Sequence, residues 1–210
     1  MAATFILITC LSCLLFYLGT GRQNNGLAFY ITWTVVIAYL SYSGFFRQTD
    51  QMPPRILLAI VPAIIFVIYC YKKTAASLLK PLVLTSIHIL RIPVELTLFR
   101  LFIQGKVPVI MTFKGWNFDI LIGVSALLIL LWSVFSKKKI SFRVLRVWNI
   151  IGLIFLSVIV ITAILSAPSP IQQFAFEHPN LAVMEFPYTL LPATVVPIVL
   201  LSHLLELKRM

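Results

Sequence analysis

The chain has 210 residues, 60% of them hydrophobic and 11% charged, with a mean hydropathy of +1.02 and a net charge of +11. A soluble domain carries about a quarter charged residues, and a folded chain of this size still exposes much of the surface it owns. A water-soluble fold is therefore excluded. So is a nucleic-acid partner, because the basic residues fall in short stretches between apolar runs, where they report membrane orientation.

Seven apolar runs follow one another, at about 3–19, 27–46, 55–71, 79–103, 118–135, 146–166 and 187–207. Each is long enough, or nearly so, to cross about 30 Å of hydrocarbon as a helix. They are continuous rather than alternating, which argues against a barrel. The expectation is one all-α domain over residues 1–210: a polytopic bundle of seven transmembrane helices. No basic segment precedes the first run and no small-residue cleavage site follows it, so it reads as a retained helix. Cys10, Cys13 and Cys70 lie within apolar runs and read as small fillers, not as a disulfide framework.

The loops set the expected orientation. One side carries Arg22, Lys72, Lys73, Lys80, the Lys137–Lys139 cluster, Arg143, Arg146, Lys208 and Arg209. The other carries Arg47, Arg55, Lys106 and Lys114, with Arg91 and Arg100 inside the fourth run. Positive loops stay cytoplasmic, which places the N-terminus outside and the C-terminus inside a plasma (inner) membrane. The lysine cluster reads as the orientation anchor, within reach of anionic lipid head groups. Of the outer loops, the one from Ser166 to about Phe186 is the longest, rich in Pro and interleaved with aromatics. Such a loop reads as a lid folded onto the bundle.

Candidate chemistry concentrates in the fourth run. His88, Arg91 and Glu95 are spaced i, i+3, i+7 and share a helix face, extended one turn back by Thr85. Ionisable groups so deep cost at least about 2.5–3.5 kcal/mol each if unpaired and facing lipid. They must therefore face the bundle interior, where Arg91 and Glu95 can pair. Pro93, among them, removes a backbone donor and is expected to kink the helix and open a pocket towards the outer side, beneath the long loop. Asn117 and Asp119, at the start of the fifth run, can join this face; Asp119 also suits a helix start.

Trp148 reads as an interfacial belt residue and Asn149 as a helix–helix hydrogen bond. Pro192 and Pro197 predict a bent last helix. On the outer side Glu177, His178 and Glu185, with Asp50 and Asp119, are candidates to ring a vestibule. Two adjacent ligands are no metal signature, and no HExxH or Gly-x-Ser-x-Gly motif occurs. His88 and His203 fall at similar depth, which leaves a bis-His haem as the one cofactor to test.

The stretches Leu90-Arg-Ile-Pro-Val-Glu-Leu96, Met111-Thr-Phe-Lys-Gly-Trp-Asn-Phe-Asp-Ile120 and Ala163-Ile-Leu-Ser-Ala-Pro-Ser-Pro170, with Phe186-Pro-Tyr before the last helix, carry a resemblance over about residues 45–207. The chain resembles a group of small bacterial polytopic membrane proteins of no assigned function. The resemblance implies a bacterial inner membrane and no activity. The residues themselves point first to a protein that binds or translocates a small molecule or ion through the polar stripe. Arg91 would hold an anionic group, Glu95 would be its counter-ion or proton carrier, and His88 would tune the proton balance. A membrane-embedded enzyme acting on a lipid-soluble substrate and a structural or accessory subunit are the alternatives. Membrane lipids are the expected partners; the oligomeric state stays open.

Overall fold

The computed structural model describes residues 1–136 and 140–210, so the Lys137–Lys139 anchor lies outside the described residues. Among these residues there are seven helices and no strand. They are α1 (Ala2–Gly19), α2 (Asn24–Tyr42), α3 (Leu57–Lys73), α4 (Pro81–Ile103), α5 (Asp119–Phe135), α6 (Phe142–Leu165) and α7 (Leu191–Arg209). Four of them, α1, α4, α6 and α7, are long and apolar enough to cross a membrane.

Local chemistry sets the helix ends. The run expected to continue to 46 stops at Tyr42, because Gly44 turns left-handed (φ 78°) and its N–H closes on the Ser41 carbonyl at 3.1 Å. Gly105 (φ 71°) ends α4 likewise, with Lys106 N–H donating back to the Leu101 carbonyl at 2.9 Å. The third helix begins at Leu57, two residues later than expected. The sixth begins at Phe142, four residues earlier than expected. Arg143 and Arg146 lie within its first turns and are exposed.

Successive helices alternate in direction. Lys80 N–H donates to the Gly19 carbonyl at 2.8 Å, and Lys208 Nζ donates to the Tyr71 and Thr74 carbonyls at 2.6 and 2.9 Å. These contacts gather Arg22, Lys72, Lys73, Lys80, Lys208 and Arg209 at one end of the bundle. Phe142 and Leu145 of α6 line a crevice there with Leu79, Pro81 and Met210, which brings Arg143 and Arg146 to the same end. The opposite end holds the long loop. Leu181 N–H reaches the Lys106 carbonyl at 3.0 Å, and Trp116 meets Phe174 edge-on at 6.0 Å.

The apolar windows are 61% buried in α7, 50% in α4 and 22% in α6, so α4 and α7 form the centre and α6 lies outside. Leu84, Ile87, Leu101, Ile198, Leu201 and Leu205 of this central pair belong to one hydrophobic core cluster, at 0–1% exposure. The periphery is apolar: Leu7, Val35, Ile65, Leu128, Phe135 and Ile161 are all exposed. Hydroxyl pairs tie α2 to α7 and to the turn before it, with Thr34–Thr194 at 2.9 Å and Ser41–Thr189 at 2.7 Å.

Both central helices depart from regular pitch. Pro93 has no N–H to offer the Ile89 carbonyl, and α4 tightens into a 3₁₀ turn over His88–Leu90 before resuming at Arg91. Helix α7 opens with a π turn over Leu191–Val195 that contains Pro192 and is followed by Pro197.

Candidate functional site

A buried polar network occupies the contact between α4 and α7 and draws in α5 and α6. It begins near the basic end. Thr85 Oγ1 donates to Glu206 Oε1 at 2.9 Å, and Asn149 Nδ2 donates to Glu206 Oε2 at 2.8 Å. Asn149 Nδ2 also donates to its own Leu145 carbonyl at 2.9 Å, which fixes the amide's orientation. Its Oδ1 therefore faces His203 Nδ1 at 2.7 Å and accepts from it. The other ring nitrogen, Nε2, accepts from Arg91 Nη2 at 3.1 Å. These bonds assign His203 its tautomer: hydrogen on Nδ1, lone pair towards Arg91.

Arg91 turns its other end to Asp119, with Nη1 to Oδ1 at 3.0 Å, and both side chains are more than nine-tenths buried. Asp119 N–H donates to Asn117 Oδ1 at 3.1 Å, and Asn117 Nδ2 donates to Glu95 Oε1 at 2.6 Å and to the Met111 carbonyl at 3.0 Å. From Thr85 to Glu95 the network follows α4 for about 15 Å, at 1.5 Å per residue. Exposure along it runs from 0% at His88, Asn149 and His203 to 6% at Asp119.

His88 is the side branch. Ser202 Oγ spends its hydrogen on the Val199 carbonyl at 2.8 Å, so it accepts from His88 Nε2 at 3.0 Å. That leaves Nδ1 of His88 as a bare acceptor. The His88 and His203 rings stack with centroids 3.9 Å apart, and Trp148 closes on both at 5.2 and 5.5 Å. Trp148 Nε1 is held by Ser125 Oγ at 2.9 Å. Among the described residues, His88 Nδ1, Arg91 Nε and Glu95 Oε2 are buried and meet no protein partner. They lie on one face of α4, one donor between two acceptors.

The five residues read from the sequence as a polar pocket, His88, Arg91, Glu95, Asn117 and Asp119, are thus brought into one network. Several expectations need correction. Arg91 pairs with Asp119 rather than with Glu95, because Asp119 projects inward from the first turn of α5. Trp148 is no belt residue; with α6 starting at Phe142 it lies well inside the helix, against the two imidazoles. The stacked imidazoles leave no room for a porphyrin between them, and both nitrogens of His203 are already bonded, which rules out a bis-His haem at this pair.

The outer ring does not assemble. Glu177 and His178 are exposed on a shallow rim beside Phe102, Ile103 and Phe176. Glu185 pairs instead with Lys106, Oε2 to Nζ at 2.6 Å. Asp50 is exposed and meets only Thr49, and Asp119 faces inward. Among the described residues, no three His, Cys, Asp or Glu cluster as metal ligands. The pocket expected beneath the long loop is also different in kind. A cavity of about 90 Å³ lies there, lined by Ile60, Leu98, Met111, Ile159, Val183 and Pro192, and it is apolar. His88, Arg91 and Glu95 are not in its wall.

Glu206 and Ser202 escaped the sequence reading. Glu206 sits in the last turn of α7, beside Lys208 and Arg209, where an acid looks solvated. The signal was the i, i+3 spacing of His203 and Glu206, which places both on one face. Compared with protein-family models, with curated proteins and with solved structures, the chain matches none.

Proposed function

We propose that this chain is a seven-span protein of the bacterial inner membrane, N-terminus outside and C-terminus cytoplasmic, whose polar core binds a small ion or solute and moves it across the bilayer. The proton is the ion that its chemistry suits best. The observation that carries this reading is the set of three unpartnered buried atoms on α4, His88 Nδ1, Arg91 Nε and Glu95 Oε2. An unmade buried hydrogen bond costs about 1–3 kcal/mol, and here three of them fall together on one helix, each on an ionisable side chain.

Charge supports the same reading. Three of the chain's six acidic residues, Glu95, Asp119 and Glu206, share the core with one guanidinium and two imidazoles. With every acid ionised and both imidazoles neutral, the core would hold two negative charges in excess. Uncompensated charge in a dry interior costs several kcal/mol per ion. Bound protons, or a bound cation, remove that excess. In this scheme Arg91 and Asp119 form the fixed pair, Glu95 is the carrier with a free oxygen, and His88 offers the neighbouring lone pair. The alternating helices and the basic end support the seven-span arrangement and its orientation.

A second reading, a membrane-embedded enzyme on a lipid-soluble substrate, is favoured by one contact. Met111 lines the apolar cavity with its side chain, while its carbonyl and Glu95 share the Asn117 amide. Glu95 would then be a general base one residue layer from the substrate.

Flux separates these. Purified protein reconstituted into vesicles with an internal pH dye should conduct protons when a potassium diffusion potential is imposed, and Glu95→Gln should abolish the flux while leaving the thermal midpoint in place. Wild-type vesicles no leakier than empty ones would overturn the translocation reading and leave the enzyme or accessory readings in front.

A further inference from the structure

At the basic end the network reaches almost to the surface. A crevice of about 20 Å³ opens there between the first turns of α4 and α6 and the last turn of α7, walled by Leu79, Pro81, Phe142, Leu145 and Arg209. Its one acidic wall residue is Glu206. The volume exceeds the roughly 10–15 Å³ that a single water needs. At the other extreme of the network, Glu95 is in the wall neither of the apolar cavity beneath the long loop nor of the rim beside Glu177 and His178.

We infer that Glu206 is the group at which the buried network takes up and releases a proton, and that it does so from the basic face. This rests on the proton reading above and names its entry site. The surroundings of Glu206 fit the task. It accepts from two donors, Thr85 Oγ1 and Asn149 Nδ2. Asn149 is pinned by the Leu145 carbonyl and can only donate. The Thr85 hydroxyl can do either. When a hydronium in the crevice passes its proton to Oε1, an O–H bond forms on the carboxylate, one O–H bond of the hydronium breaks, and water is left. Thr85 then turns its hydroxyl from donor to acceptor, and no other bond of the network must break.

Among the described residues, the charged neighbours include Lys80 and Arg143, which adjoin the wall residues Pro81 and Phe142. Helix α7 supplies Arg209 on the crevice wall and His203 one turn back, with Arg91 of α4 beyond it. Thr85 of α4 and Asn149 of α6 do not titrate, and Lys72 and Lys73 of α3 are exposed at the surface. The bonds run one way, Arg91 to His203 to Asn149 to Glu206, so the carboxylate is the negative end of a chain polarised by the guanidinium. A proton arriving at Glu206 is felt at His203 without having to hop through the Asn149 amide.

The test is infrared titration of the protein reconstituted in one orientation, with pH stepped on one face at a time. A buried carboxylic-acid carbonyl band should appear promptly on acidifying the basic face and only slowly, after equilibration, from the other. The part of it that Glu206→Gln removes should account for that prompt rise and should shift in Thr85→Val, which removes a hydrogen bond but keeps the acid and a similar shape. A prompt rise undiminished in Glu206→Gln, or equal rates from both faces, overturns the port. If proton flux survives in that case, the translocation reading stands without it. If the port behaves as described but no flux is found, translocation alone fails.

Discussion

Arg91→Ala is expected to be the most damaging single substitution in the chain. Arg91 is 4% exposed and holds Asp119 at 3.0 Å and His203 at 3.1 Å. Removing it strands a buried carboxylate, and breaking a buried pair from one side costs about 3–5 kcal/mol. The midpoint of thermal aggregation in mild detergent should fall by many degrees, and the yield of monodisperse protein with it. The double change Arg91→Met with Asp119→Leu should be far milder, because replacing both partners by apolar groups of similar size lifts the desolvation cost as well. If the single change proves as mild as the double, the pair is not buried as described.

Gly152→Ala comes second. Alanine in place of an ordinary helical glycine stabilises by about 0.5–1 kcal/mol. Here the added methyl would fall on the His203 imidazole, 2.5 Å from Nε2, the atom that receives Arg91. Overpacking of this kind costs about 1–3 kcal/mol, and the ring that must move links the two halves of the network. Gly26→Ala is the internal control. Its methyl would meet only Phe16, at an ordinary 3.6 Å, so its thermal midpoint should stay level or rise. A destabilised Gly152→Ala beside an unharmed Gly26→Ala is the expected pattern. Equal behaviour of the two would contradict the close approach of α6 to His203.

Much of the bundle was legible because apolar runs and charged loops are blunt signals. The spacing of His88, Arg91 and Glu95 on one helix face also survived translation into three dimensions, since an α-helix fixes which residues share a side. What the sequence withheld was the choice of partner. The i, i+4 relation of Arg91 and Glu95 suggests a pair within α4, but Asp119 reaches the guanidinium from α5, and nothing local announces that. Glu206 hid for a related reason. Its neighbours Lys208 and Arg209 mark a solvated helix end, while the α4 contact that buries it to 2% exposure is long-range.

Helix boundaries caused the misreading of Trp148. Starting α6 after Arg146 places the indole at the interface; starting it at Phe142 carries it two turns inward, onto the imidazoles. Loop charges misled in the opposite direction. Glu185 looked like part of an acidic vestibule with Glu177 and His178, but the loop fold delivers Lys106 to it and leaves the others at the rim. Composition alone does not distinguish a polar lid from a loop roofing an apolar cavity.

Density beside α4 tests most directly whether the polar core is a site or only a seam. A high-resolution experimental map of the protein in lipid nanodiscs should show ordered water or an ion within hydrogen-bond reach of His88 Nδ1, Arg91 Nε and Glu95 Oε2, three buried atoms on α4 without a protein partner. A dry core, in which these atoms have turned to bond Ser202, Asn117 or neighbouring carbonyls and nothing lies between them, would contradict the account and make the network a device for packing helices.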